Sequence, residues 1–341
     1  MTAPEVIVNG RFLSTRVTGV QRYAAEILRC LGARVQVVRP GPTADRPGIT
    51  GHAWEQFTLP RRVSSRSVLW SPANSGPLAT RNQVLTLHDL SPLEHPEWFK
   101  PAYAAWCSLF LPLLVHRVRR ILVPSEYVRR GILSRFHMPG DAVVVVPAGV
   151  DTHRFHKVPP SEASGWGRYI LFVGTLEPRK NIPTLLTAWK QIEKFHPDVS
   201  LILAGGAGRV FNPVHFPDKI NRVRLAGYVA EEALPSLYSG AEVFVFPSFD
   251  EGFGLPVLEA MACETPVVVS NRGALPEVVG KAGLFIDPNN AEELAKVLNQ
   301  CLTDGALRCS LAESGRRQAQ HFSWQTSSEK VWDILRENNG T

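Results

Sequence analysis

The chain has 341 residues, 44% of them apolar and 20% charged, with a formal net charge of +6. That is the make-up of a globular protein long enough for two domains, and it excludes a disordered or collagen-like chain. Five cysteines, at 30, 107, 263, 301 and 309, form no CxxC pair and are odd in number, so they imply neither a zinc site nor a complete disulfide framework and point to a reducing, cytoplasmic compartment.

Residues 1–10 lack the charged start and apolar run of a secretory signal. The charge is uneven: residues 1–150 hold 18 Lys and Arg against 9 Asp and Glu, and the remainder 19 against 22. Many of the arginines fall in HRVRR (116–120) and YVRRGILSRF (127–136). Such a half suits solvated helix faces or contact with an anionic membrane surface. No recognition motif accompanies the charge, so nucleic acid is not expected as a partner.

In chain order, β-branched runs predict strands at 5–8, 35–38, 68–70, 84–87, 120–123 and 143–146. The apolar run 102–115 is too short for a membrane span and is expected to be a core helix. After KVPPSEASGWG (157–167), whose Pro, Gly and Ser suit a linker, a second series of strands is predicted at 169–173, 200–204, 223–226, 243–246, 267–269 and 284–286. Runs apolar at every position suit parallel strands covered on both faces. Their alternation with helical segments predicts an α/β fold of two Rossmann-like doubly wound domains, over 1–157 and 168–321, meeting across a cleft. A last helix is expected over 322–338, with Trp324, Val331, Trp332 and Leu335 as its buried stripe.

Two motifs carry chemistry. VGTLEPRKN (173–181) follows a strong strand: Gly174 and Thr175 open the turn, and Arg179 and Lys180 stand just before a helix. Two cations at a helix N-terminus make a pyrophosphate clamp. The second motif is PSFDEGFGLPVLEAMACETPVVVS (247–270). Its glycine loop, Glu251-Gly252-Phe253-Gly254-Leu255, precedes Pro256 at the expected start of a helix, so the amides of Phe253, Gly254 and Leu255 are placed for an anion. Glu251 in the loop and Glu259 in the first helical turn are spaced to reach the sugar hydroxyls and ribose hydroxyls of one nucleotide-sugar. His88 ends strand 84–87 and is expected to face the cleft.

The string DEGFGLPVLEAMACETPVVVSNRGALPEVVG (250–280) resembles the E-x7-E region of family 4 glycosyltransferases, which have the GT-B fold. EPRKN (177–181), AGYV (226–229), VPAGVD (146–151) and FSW (322–324) extend the resemblance over the whole chain. It implies retaining transfer, with no required metal, from a nucleotide-diphospho-sugar bound mainly by the second domain, and acceptor binding by the first. It also implies that Glu251 contacts the donor sugar, Glu259 the ribose, Arg179 and Lys180 the diphosphate, and the backbone at Tyr228 and Val229 the base. His88 takes the place of the family's active-site histidine. Thr18-Gly19-Val20 resembles its short phosphate-approaching loop, with one glycine, Gly19, where fuller versions have two. The helix from about 322 to 341 is implied to pack back on the first domain.

With no second carboxylate placed as a covalent nucleophile, front-face departure and attack is the expected course, the leaving phosphate accepting the acceptor's proton. The first turn, NGRFLSTRVTGV (9–20), lacks the GxGxxG of a nicotinamide dehydrogenase. A nucleotide-sugar epimerase gives no reason for EPRKN beside E-x7-E, and a partner subunit that binds donor without turnover is the rival of another class. GVQRYAAEIL (19–28) and HDLSPLEHPEWF (88–99) resemble bacterial surface-polysaccharide mannosyl- and rhamnosyltransferases, such as those of lipopolysaccharide. That implies a GDP-sugar, with a UDP- or dTDP-sugar as alternative, and a lipid-linked saccharide acceptor at the inner membrane face.

Overall fold

A computed structural model describes residues 6–14, 17–41, 49–159, 165–208, 210–213 and 221–338. The chain divides into two units, one of residues 1–94, 104–149 and 323–341, the other of 95–103 and 150–322.

The first unit is built on a six-stranded parallel sheet of β1 (Val6–Asn9), β2 (Gln36–Val38), β3 (Val68–Ser71), β4 (Gln83–Thr86), β5 (Arg120–Val123) and β6 (Val143–Val145), in the order β2-β1-β3-β4-β5-β6. Its connections carry α1 (Gly19–Leu31), α2 (Ile49–Ala53), α3 (Ser91–Glu94), α4 (Pro101–Val115, which straddles the division at residue 104) and α5 (Glu126–Phe136). Every residue of β3 and β4 is buried, as parallel strands covered by helices on both faces require.

The second unit repeats the plan with β7 (Arg168–Val173), β8 (Val199–Ala204), β9 (Val223–Gly227), β10 (Val243–Phe246), β11 (Val267–Ser270) and β12 (Leu284–Ile286), in the order β12-β11-β10-β7-β8-β9. The helices are α6 (Ile182–Ile192), α7 (Leu234–Ser239), α8 (Leu255–Ala262), α9 (Leu275–Val279), α10 (Ala291–Thr303) and α11 (Gly305–Ala319). From the β9 edge the order reads third, second, first, fourth, fifth, sixth strand, the Rossmann arrangement. All twelve predicted strands are present, although residue 5 lies outside the described residues. The edge strands β2 and β9 are not buried throughout, because an edge has one neighbour and fewer covering helices.

The final helix, α12 (Trp324–Glu337), belongs to the first unit and packs on α1. Ser323 caps it through the Thr326 amide at 3.4 Å, and Trp324 meets Tyr23 edge to face at 5.7 Å. Gly149 lies so close that a Cβ there would stand 2.2 Å from the Trp324 nitrogen, which explains the glycine in VPAGVD. The buried stripe is Trp324, Val331, Ile334 and Leu335. Trp332, expected in it, is only half-buried, under the Arg34 guanidinium at 5.7 Å.

Two expectations need correction. The first domain does not run unbroken to 157. Residues 95–103 join the second unit, where Phe99 bridges Phe211, the Lys100 amide donates to Val210 at 2.8 Å, and the Asn212 amide donates to Trp98 at 2.8 Å. Residues 150–157 join it too, tied by Arg154 to Glu231 at 2.8 Å and by Lys157 to the Ser239 carbonyl at 3.1 Å. The second correction concerns α4: it is buried along one side only, and Trp106, Leu109 and Leu113 are exposed.

Candidate active site

In an open parallel sheet, ligands bind beyond the carboxyl ends of the strands where the strand order reverses. In the second unit that point lies between β7 and β10, the strands that EPRKN and the glycine loop follow. The sequence folds this way locally because of close backbone approaches. A Cβ on Gly205, whose φ is +146°, would stand 1.8 Å from the Gly174 oxygen, so the ends of β7 and β8 meet only with glycine there. A Cβ on Gly273, at φ +63°, would stand 2.6 Å from the Glu251 backbone, and the Ala274 amide donates to the Glu251 carbonyl at 2.8 Å.

The two motifs are locked together. Asn181, at φ +56°, donates through Nδ2 to the Pro247 and Pro288 carbonyls at 3.1 and 2.7 Å. The Phe249 amide donates to the Arg179 carbonyl at 2.8 Å. This brings Arg179 and Lys180 to Glu251, with Lys180 Nζ 2.5 Å from Glu251 Oε1 and Arg179 Nη1 3.8 Å from Oε2. Arg179 Nε also donates to Glu177 Oε1 at 2.9 Å, and Lys180 lies over the Phe246 ring at 4.5 Å. Glu177, Lys180 and Glu251 are buried, and Arg179 keeps 13% of its side chain exposed.

Two cations and two carboxylates thus balance in one small volume. Burial by itself raises the Glu251 carboxyl, but Lys180 and Arg179 outweigh it and hold the group below the usual carboxylate range. For Glu177 burial wins over the same cations, and its carboxyl is raised.

Gly254, at φ +99°, opens α8, with Pro256 in its first turn. Gly252, Phe253, Gly254 and Leu255 are buried at this N-terminus, where helix amides lack intrahelical acceptors. Glu259 lies one turn further in than expected, because α8 starts at Leu255. It is buried, and its Oε2 accepts from the Tyr238 hydroxyl at 2.8 Å. Gly174 and Thr175 are half-buried after β7. Tyr228 and Val229 follow β9 at the same end of the sheet, with Tyr228 52% exposed.

In the first unit, His88 follows β4 and Gly19 is the first residue of α1. The Thr18 amide donates to Gln21 Oε1 at 3.2 Å, the backbone half of a capping box. His88 is buried, its ring edge to face with Tyr23 at 4.9 Å. Its Nε2 is 2.9 Å from the Pro72 carbonyl, which only accepts, so the proton of the neutral ring sits on Nε2. Its amide donates to Asn74 Oδ1 at 2.7 Å, and burial lowers its pKa.

Sequence reasoning missed four features. Asn181 stood inside the quoted EPRKN string, and its role emerges only from carbonyls distant in sequence. Tyr238, the partner of Glu259, lies on a different helix. Gly205 is one of a glycine pair after a strand, a signal present in the sequence and not used. The fourth is a cluster at the first unit's own reversal point, between β1 and β3: fully buried Glu55 accepts from Asn9 Nδ2 at 2.6 Å, Ser75 Oγ at 2.9 Å and Arg11 Nε at 3.2 Å. Among the described residues no group of three or more His, Cys, Asp or Glu side chains is arranged to hold a metal ion.

Comparison with known proteins gives the class first. The family model described as "Glycosyl transferases group 1" matches residues 157–318, and "Glycosyltransferase Family 4" matches 67–154. O-antigen chain mannosyltransferase B of Escherichia coli is 35% identical over 260 residues, 73% of this chain and 68% of that protein. The GDP-mannose-dependent alpha-(1-6)-phosphatidylinositol monomannoside mannosyltransferase of Mycobacterium tuberculosis is 30% identical over 62% of this chain and 60% of its own length. In fold, the chain is similar to Anabaena Alr3699/HepE, solved in complex with UDP-glucose, with a TM-score of 0.72 at 18% identity over 98% of this chain and 99% of that one. Two doubly wound parallel sheets of this kind are the domain pair of the GT-B glycosyltransferases. Within that class the chain belongs to glycosyltransferase family 4.

Proposed function

We propose that the chain transfers a hexose, mannose or rhamnose, from a GDP-sugar to a lipid-linked saccharide in surface-polysaccharide synthesis, retaining anomeric configuration and requiring no metal. The observation that carries this reading is the quartet of Glu177, Arg179, Lys180 and Glu251 at the reversal point of the second sheet. Its cations are held in place before any ligand arrives, so stabilising a leaving diphosphate costs little reorganisation. Arg179, the more exposed cation, meets the diphosphate, with the amides at the α8 N-terminus on the same anion. Glu251, kept ionised by Lys180, accepts hydrogen bonds from sugar hydroxyls. Glu259 receives the ribose and the backbone at Tyr228 and Val229 the base.

His88, a neutral ring supplied by the first unit, approaches the donor sugar. Both glutamates of the E-x7-E are committed to binding, so the leaving phosphate takes the acceptor's proton and the acceptor attacks from the face it leaves. The GDP preference draws on the mycobacterial relative, which is GDP-mannose-dependent. A UDP-sugar, the donor in the Anabaena complex, is the alternative.

Thermal unfolding with GDP, UDP and dTDP tests the donor, since ligand bound to the native state raises its stability. GDP is expected to give the largest shift, and a larger shift with UDP or dTDP would reassign the donor. Transfer without added metal, with the product anomer read by NMR, tests the rest. An inverted product or a trapped glycosyl-enzyme would overturn the front-face course, and donor binding with no turnover on any acceptor would mark a non-catalytic subunit.

A further inference from the structure

The polar cluster at the first sheet's reversal point has no part in the donor reading. Asn9 ends β1 with Arg11 two residues on, Ser75 comes shortly after β3, and His52 and Glu55 arrive from α2 and the turn behind it. That turn, Trp54–Thr58, is π-helical and buries both Trp54 and Glu55. Single π-turns of this kind recur at functional sites. The Glu55 side chain is fully buried. Taking a carboxylate out of water is expensive, and an apolar side chain of similar size serves stability as well or better. A function accounts for the charge where stability does not.

Glu55 orients groups that do reach solvent. Its Oε1 accepts from Arg11 Nε at 3.2 Å, while Arg11 Nη2 donates to Ser75 Oγ at 2.6 Å and Nη1 to His52 Nε2 at 3.4 Å. These bonds take three of the five N–H groups of a guanidinium. The second hydrogen on each terminal nitrogen has no acceptor among the described residues. An acceptor at Nε2 puts the proton of the neutral imidazole on Nδ1, 3.8 Å from Glu55 Oε2. The side chains of Arg11 and His52 are 20% and 29% exposed. Beyond His52 stands the indole of Trp106 on α4, 5.3 Å away between ring centroids and 39% exposed. Phe110 stacks against that indole at 4.7 Å and fixes it. Guanidinium, imidazole and indole therefore form one continuous, partly exposed strip.

We infer that Arg11 and Trp106 bind a sugar ring of the acceptor, the guanidinium donating to ring hydroxyls and the indole covering the C–H face, with Glu55, Ser75 and His52 as positioning residues. The inference deepens the proposal of a saccharide acceptor, on which it rests, by naming what holds the saccharide. Charge selects the ligand class. The Arg11 cation is already matched by Glu55, and burial and Arg11 both lower the His52 pKa and keep that ring neutral, so an anion gains little here. A sugar offers hydroxyl acceptors beside an apolar C–H face, which an aromatic ring next to a few fixed polar groups suits.

Saturation-transfer NMR of the full chain with α-linked mannobiose tests it. Wild type is expected to bind the disaccharide. Arg11→Lys keeps a cation for Glu55 but loses the planar fork, and should raise the dissociation constant about tenfold. Trp106→Ala leaves every Glu55 partner in place and should weaken binding by a similar factor, with Trp106→Phe recovering most of it. A merely structural role would give no such recovery. Melting temperatures are followed for all three, and should Arg11→Lys melt early, the Trp106 pair decides alone. Unchanged binding in Trp106→Ala overturns the inference, as does a wild type that binds no mannobiose. The thermal shift with GDP is measured in parallel. Lost mannobiose binding with that shift intact in the variants supports the site. A wild type that shows the GDP shift but no mannobiose binding keeps the donor reading and loses this one. Mannobiose binding without any nucleotide shift would refute the donor reading and leave the site standing.

Discussion

The two units solve one architectural problem with different chemistry. Both are six-stranded parallel sheets with their polar side chains gathered where the strand order reverses. In the second unit the reversal holds two cations against two carboxylates, with Arg179 still reaching solvent. In the first it holds one enclosed carboxylate, Glu55, which accepts from Asn9, Ser75 and Arg11 and has His52 Nδ1 3.8 Å from its other oxygen, and the neighbouring functional candidate is a buried neutral histidine. Charge that can be lent to an incoming anion lies in the second unit. At the first unit's reversal point the nearest cation, Arg11, is engaged by Glu55 and Ser75, and this is why the proposed donor chemistry falls at the second sheet.

The comparison breaks most visibly at Lys180. Lys180→Met removes a preorganised stabiliser of the leaving diphosphate and is expected to lower kcat about a hundredfold or more. It also strands Glu251, and losing one partner of a buried pair destabilises by about 3 kcal/mol. Transfer assays with thermal unfolding check both. Unchanged turnover would show that the quartet is only scaffolding. Glu55→Ala is expected to cost a similar but smaller amount, about 2–3 kcal/mol, by leaving Asn9 and Arg11 without their acceptor. Its GDP-induced thermal shift should match that of wild type. A lost shift would mean that the first unit's cluster serves the donor after all.

Much of this could be read from the sequence where local pattern and tertiary role coincide. Strands buried on both faces announce themselves as unbroken apolar runs, so β3, β4, β8, β10 and β11 were legible. The cation pair and glycine loop were legible because strand, turn and helix follow one another within a few residues. What failed depends on partners distant in the chain. Nothing local marks residues 95–103 for the second unit, since their pairing with Phe211 and Val210 is a tertiary event. The exposed side of α4 was invisible for the same reason: an all-apolar helix looks like core until its missing neighbour is seen. The pairing of Lys180 with Glu251 spans 71 residues, and the sequence assigned them separate tasks where the structure couples them.

The smallest effect separates the units by pH. His88 is held neutral: burial lowers its pKa from 6.5, against the Pro72 carbonyl and Asp89, which raise it. A group whose pKa is lower in the folded state binds its proton more readily when unfolded. The first unit therefore has its full stability above about pH 6.5 and loses it as pH falls toward the folded value. His52 is shifted the same way, burial again leading, and adds to the loss over the same window. His88→Gln keeps a donor for Pro72 but cannot titrate. Its melting temperature should fall less steeply than wild type between about pH 7 and pH 5. Thermal unfolding across that range, with and without the substitution, measures the difference. Parallel curves would show that the acid sensitivity comes from elsewhere, with the second unit's carboxylates, where Glu251 is depressed and Glu177 raised, the next groups to examine.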